Sequence, residues 1–323
     1  MVRLLLRSSL LCLLFASSPL PAKTSADGVT LDVLVDLSDH PDSQGAVVVS
    51  PDGKRVAFVE QASKRPERYR VVVNGKRKEP YEQIYDGSLR FSPDGARLAY
   101  VAQKGRTMFV VLDDEELDRC RSIGESGVQF APIGSRYAYV AEVGLEKRVM
   151  SDTGPGPGFD SVTSPVFSPD GKRLAYVGSR GGKQFVVVAG KESGPYDEVL
   201  GDPVFSPDSS HLARVVQGAD GVSVVTDQGQ WPAVQGIGDG TPLYSVDSKH
   251  LASVEKVEDG WRVTVDGRPG AVFDGVVRGS IKALPGGDFA YVAGKGDSMA
   301  LMVGERRIFE APMFRGGPVF VTA

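Results

Sequence analysis

One phrase, a polar turn running straight into an apolar strand, occurs seven times in this chain of 323 residues. It begins at Ser50 (SPDGKRVAFV), Ser92 (SPDGARLAYV), Ala131 (APIGSRYAYV), Ser168 (SPDGKRLAYV), Ser206 (SPDSSHLARV), Ser245 (SVDSKHLASV) and Leu284 (LPGGDFAYV, one residue shorter). The starts are 42, 39, 37, 38, 39 and 39 residues apart, and a period this regular marks an array of equivalent units rather than one irregular core.

Within a unit the phrase predicts a β-hairpin. A short apolar strand leads in (Leu89-Arg90-Phe91, Pro165-Val166-Phe167, Pro203-Val204-Phe205) and four to six strand-like residues follow the turn. Pro presets φ at the second turn position, Asp bonds back to the backbone, and Gly accepts the positive φ that reverses the chain. A second strand pair follows, as in Arg70-Val71-Val72-Val73-Asn74-Gly75-Lys76 and Phe185-Val186-Val187-Val188-Ala189-Gly190-Lys191, and ends near an aromatic-acid pair such as Tyr81-Glu82 or Tyr196-Asp197. Four strands in about 39 residues make one propeller blade.

The seventh residue after each phrase start is alanine in six copies, Ala57, Ala99, Ala138, Ala175, Ala213 and Ala252, and Ala290 fills the same place in the shortened copy. Larger residues stand beside it (Phe58, Tyr100, Tyr139, Tyr176, Tyr291), the small-large alternation that interdigitating sheets require. The expected fold is therefore all-β, a β-propeller of seven four-stranded blades over residues 44–323, with a partial eighth blade as the alternative. Ring closure removes exposed sheet edges, and two segments outside the seven units are candidates for it: Val29-Thr30-Leu31-Asp32-Val33-Leu34-Val35, within the N-terminal segment 27–43, and Pro318-Val319-Phe320-Val321.

The SPDGKRLAYV phrase resembles the PD40 repeat, also called the WD40-like β-propeller repeat, of the TolB type. The full motif stands at Ser50, Ser92 and Ser168; the copies at Ser206, Ser245 and Leu284 are degenerate. TolB carries an α/β domain ahead of its propeller, whereas 17 residues separate the expected leader from residue 44 here, so the resemblance is to the repeat family and not to TolB as a whole. It implies an exported propeller and transfers no role in the Tol system.

Residues 1–26 belong to a different class of segment. Arg3 and Arg7 precede the apolar run Leu10-Leu11-Cys12-Leu13-Leu14-Phe15, and small residues follow up to Ala26, the pattern of a secretory signal peptide cleaved after Thr24-Ser25-Ala26. No later stretch approaches the roughly 18 apolar residues of a membrane span, so the mature chain is expected without one, as a periplasmic or extracellular monomer. Cleavage removes Cys12 and leaves Cys120 as the sole thiol, expected to be a packed strand residue. It also removes three bases and no acid, leaving 34 bases against 41 acids, a net −7 that speaks against nucleic acid as a partner.

Catalytic constellations are sparse. Propellers related to this repeat occur beside prolyl-oligopeptidase-like hydrolase domains, but no G-x-S-x-G nucleophile elbow is present; Gly124-Glu125-Ser126-Gly127 comes nearest and lacks the spacing. The three histidines are His40, ahead of the repeats, and His211 and His250, in a column that elsewhere holds Arg55, Arg97, Arg136 and Arg173; this is a solvated polar position rather than a metal site. Asp52, Asp94, Asp170, Asp208 and Asp247 are explained by the turn. Acidic Asp113-Asp114-Glu115-Glu116 with Asp118 lacks a calcium-loop spacing, and basic Lys64, Arg65, Arg68, Arg70, Lys76, Arg77 and Lys78 give the first unit a charged face. No cofactor is expected.

More informative is the residue two before each phrase start: Val48, Arg90, Gln129, Val166, Val204, Leu243 and Lys282. Arg90, Gln129 and Lys282 break an apolar column on the strand that borders the central channel of a propeller, and they are the candidate binding residues. The expected function is a non-enzymatic scaffold for a protein or peptide partner. The alternative is a propeller that binds carbohydrate or another small ligand on an aromatic such as Trp231 or Trp261, and the third reading is an enzyme with an unrecognised site.

Overall fold

The computed structural model describes residues 2–7, 10–15, 23–26 and 29–312, with side chains from 34 to 312. The candidate strand Pro318-Val319-Phe320-Val321, leader residues 1, 8–9 and 16–22, and residues 27–28 lie outside the described residues. The chain divides into two compact units, Met1–Pro165 and Val166–Ala323. From Ser43 to Pro312 it forms seven successive antiparallel sheets of four or five strands, the fold class of a seven-bladed β-propeller.

The second sheet shows the plan. Gln83–Ile84 and Arg90–Phe91 both pair with Leu98–Lys104, which pairs with Thr107–Leu112, which pairs with Glu115–Glu116. Every hairpin joins sequence neighbours, so the local pairing needs no crossover. The alanine column lies where the spacing predicts: Ala57, Ala99, Ala138, Ala175, Ala213 and Ala252 are completely buried. Ala57 packs with Val59, Val71 and Val73 of the first sheet against Tyr81, Phe91 and Tyr100 of the second, and Ala99 with Val110 and Leu112 against Val128, Tyr139 and Met150 of the third.

The turn is more tightly built than its Pro, Asp and Gly require. In the first copy the Ser50 hydroxyl donates to Asp52 Oδ1 at 2.6 Å and accepts the Arg55 N–H at 2.9 Å, while Asp52 Oδ1 accepts the Lys54 N–H at 3.1 Å. Gly53 holds φ 71° and donates its N–H to Ser50 O at 2.8 Å. Ser92, Ser168, Ser206 and Ser245 repeat this ring and are completely buried. Ser209 and Ser248 replace the glycine at φ 66° and 65°, conformations that strain a residue with a Cβ. Their hydroxyls compensate by accepting the N–H of Asp170 and of Asp208 in the preceding sheet, each at 2.9 Å.

Val29–Asp36 pairs with Val2–Arg7 and Lys23–Ala26 in a separate four-stranded sheet, whose strand order is not sequential and so differs from that of a blade. The outer strand of the seventh sheet is supplied by Arg306–Pro312. Each repeat thus brings four strands of its own. Val35, with Leu34 and Leu37, packs on Val56, Phe58 and Val72, the face of the first sheet turned away from the second. Among the described residues no helix is long and apolar enough to cross a membrane.

Candidate binding surface

Arg90, Gln129 and Lys282 each sit directly opposite the alanine column, in register with Ala99, Ala138 and Ala290. Opposed residues of an antiparallel pair project from the same face, so the small alanine leaves room for a long neighbour. Arg90 is exposed and its Nη1 donates to Gln129 Oε1 at 3.1 Å, linking the first strands of the second and third sheets. Gln129 Nε2 in turn donates to Ser126 O at 2.8 Å, which fixes its amide. Lys282 is exposed on the corresponding strand of the seventh sheet. Arg90 and Gln129 thus meet; Lys282 belongs to the other compact unit.

The turn aspartates are structural acceptors. Serine hydroxyls and backbone N–H groups hold the carboxyls of Asp52, Asp94, Asp170, Asp208 and Asp247 below the usual carboxylate range, so they carry charge at neutral pH and have no proton to donate. Cys120 is buried, and burial pushes its thiol up to about 11, which leaves it largely protonated at neutral pH and a poor nucleophile.

Much of the basic face of the first sheet is neutralised. Arg68 pairs with Glu82 at 3.2 Å, Arg77 with Glu60 at 2.9 Å, and Lys78 with Asp114, so part of the acidic hairpin serves as its counterion. Asp113 is likewise held by Arg97 Nε at 2.7 Å and Glu116 by Lys104.

Two buried carboxylates were not singled out by the sequence reading. Glu60 accepts from Arg77 Nε at 2.9 Å, and its Oε2 lies 2.6 Å from His40 Nδ1, with His40 also edge-on to Phe58. Burial raises the Glu60 pKa, but the bonds from Arg77 and His40 lower it further and leave it below the usual range. Glu255 takes the same place in the sixth sheet and is satisfied by Arg262 Nε at 2.9 Å, Thr264 Oγ1 at 2.6 Å and Ser253 Oγ at 3.0 Å. The signal was available: the equivalent residues Ala102, Ala141, Gly178, Val216 and Ala293 carry no charge. His40, placed in a linker by its sequence position, is a buried partner that ties residues ahead of the repeats to the first sheet.

No family model and no curated protein matches the sequence. Solved structures similar to this chain include the β-propeller domain of the trilobed protease from Pyrococcus furiosus, 11% identical, covering 86% of this chain and 98% of that one at a TM-score of 0.37. A eukaryotic initiation factor is 12% identical over 84% of this chain and 78% of its own, at 0.47. TolB from Acinetobacter baumannii is 15% identical over 67% and 62%, at 0.32. At these identities the likeness is one of fold.

Proposed function

We propose that this chain is an exported, non-enzymatic β-propeller scaffold that binds a protein or peptide partner, using the polar pair Arg90 and Gln129, with Lys282 as a further candidate in the other unit. The observation that carries the reading is the Arg90–Gln129 hydrogen bond, a polar link between two sheets at a column filled elsewhere by Val48, Val166, Val204 and Leu243. An apolar residue suffices for folding at four of those positions, so the exposed Arg90 and Lys282 offer hydrogen bonds outward rather than core packing, while half-buried Gln129 orients Arg90. Export is supported by Arg3 and Arg7 followed by the apolar stretch to Phe15 and the small residues before Ala26.

The test is affinity capture from native envelope extracts, comparing the unaltered protein with Arg90→Ala/Gln129→Ala and with Lys282→Ala. A defined protein partner retained by the native chain and lost from the variants supports the reading. Recovery of no protein partner, or of the same partner by every variant, refutes it.

A further inference from the structure

Three arginines of the repeat bridge neighbouring sheets, and histidine stands in their column at two later positions, His211 and His250. Arg55 of the first sheet donates Nη1 to Gly95 O at 3.2 Å and Ala96 O at 2.6 Å in the next turn, with its guanidinium 5.0 Å from the centre of the Phe91 ring. Arg97 does the same to Ser135 O at 3.2 Å, over Tyr137 at 5.6 Å. Arg173 of the fourth sheet reaches Ser209 O and His211 O, over Phe205 at 4.9 Å. A guanidinium, planar and rich in donors, can stack and bridge at once.

At the fifth sheet this residue is His211, whose shorter side chain lies 3.7 Å from Asp227 of its own sheet. The space that an arginine would cross toward Tyr244 and the turn at Ser248 is a cleft of about 250 Å³. His211, Asp227, Trp231, Tyr244, His250 and Asp266 line it. The next junction is different although its column residue is also histidine. There the turn of the seventh sheet closes in: a Cβ on Gly287 would stand 3.2 Å from Asp247 and 3.3 Å from the His250 ring. Trp231 occupies a position held in other repeats by Lys78, Leu117, Gly156, Ser193, Gly270 and Ile308. Its pyrrole ring lies against Gly267 of the sixth sheet, where an added Cβ would be 3.4 Å away, so the indole forms one wall of the cleft.

We propose that this cleft binds a single neutral sugar ring. An indole wall offers a flat apolar surface for the C–H face of a pyranose, and the imidazoles and carboxylates around it offer both donors and acceptors to hydroxyls. Both carboxylates already have partners, which disfavours an organic cation. Asp266 accepts the Leu251 N–H at 2.9 Å and lies 2.7 Å from His250 Nδ1, and Asp227 Oδ2 accepts the Leu212 N–H at 3.0 Å. The same carboxylates repel an anion, and Lys249 is turned to Asp247 at 3.7 Å. Among the described residues no group of three or more His, Cys, Asp and Glu is placed to hold a metal ion. The volume lies below the roughly 300–1,000 Å³ of clefts for drug-sized ligands, which suits one ring rather than a buried chain.

The cleft shares no residue with Arg90, Gln129 or Lys282, so each reading fails on its own evidence. The full chain is screened on an immobilised glycan panel, and each hit is titrated as the free methyl glycoside in a Trp261→Phe background, which leaves Trp231 as the only indole reporter. Binding to at least one glycan with a Trp231 fluorescence change is expected, weakened about tenfold or more by Trp231→Ala. His211→Arg is the sharper variant, because arginine already stands in this column at four positions and would fill the cleft while preserving the fold. It should abolish glycan binding and leave thermal stability equal or higher. Absence of glycan binding by the native chain at millimolar ligand overturns the proposal, as does undiminished binding by His211→Arg or a response to tetramethylammonium with none to glycans.

Discussion

Removing the Glu60 charge should loosen the segment ahead of the repeats before anything else in the protein. The carboxylate side chain is 6% exposed and holds His40, itself 4% exposed, together with Arg77. Breaking a fully buried ion pair costs about 3–5 kcal/mol; since Arg77 is half exposed and can regain water, roughly 2–4 kcal/mol is the expected cost of Glu60→Leu. Glu60→Gln keeps the shape and one acceptor and should cost about 1 kcal/mol. Because a repeat array opens locally, the informative assay is amide hydrogen exchange over residues 34–40. A loss of about 2 kcal/mol there speeds exchange roughly 30-fold.

The pH dependence has a definite sign. The folded pKa of Glu60 lies below its unfolded value of 4.5, so its contribution is complete above that value and is lost as pH falls through the folded pKa. The turn aspartates share this sign and will unfold the protein in acid whatever stands at position 60. The diagnostic is therefore the difference between native and Glu60→Gln profiles, which should shrink as pH drops from about 5 to 3. Equal exchange in the two proteins at pH 7, or a constant difference across the acid range, would refute the role given to this carboxylate.

The serine ring of the turn predicts that Ser92→Ala lowers stability by about 1–3 kcal/mol in a denaturant titration, because the buried hydroxyl both donates to Asp94 and accepts from Arg97 N–H. The converse is Ala131→Ser with Ile133→Asp, which restores the ring in the third repeat and replaces an isoleucine that is 66% exposed; a gain of about 1 kcal/mol is expected, and an unchanged midpoint counts against the ring. Cys120, buried with its thiol raised to about 11, should resist iodoacetamide at pH 8 until the protein is unfolded; native labelling at the rate of a free peptide thiol would contradict its burial.

Repetition made the blade legible, because seven copies align themselves: the alanine column and the turn could be assigned from one sequence, and both occupy the places expected of them. The same alignment exposed Arg90 and Gln129 as polar breaks in an apolar column, and these two side chains meet. What stayed hidden depends on distance rather than residue type. Glu60 was an equally clear break, but its partner His40 lies outside the repeat, and no periodicity could join them. The change from arginine to histidine at 211 was visible, yet its consequence was not. A polar residue replaced by another looks neutral in a column; only the reach of Arg55, Arg97 and Arg173 into the following turn shows that histidine falls short. His250 makes the same exchange, but there Gly287 brings the seventh turn close. A binding cleft therefore arises here where a shorter side chain in one repeat faces a neighbour that does not close the space, a property of the junction that belongs to neither repeat alone.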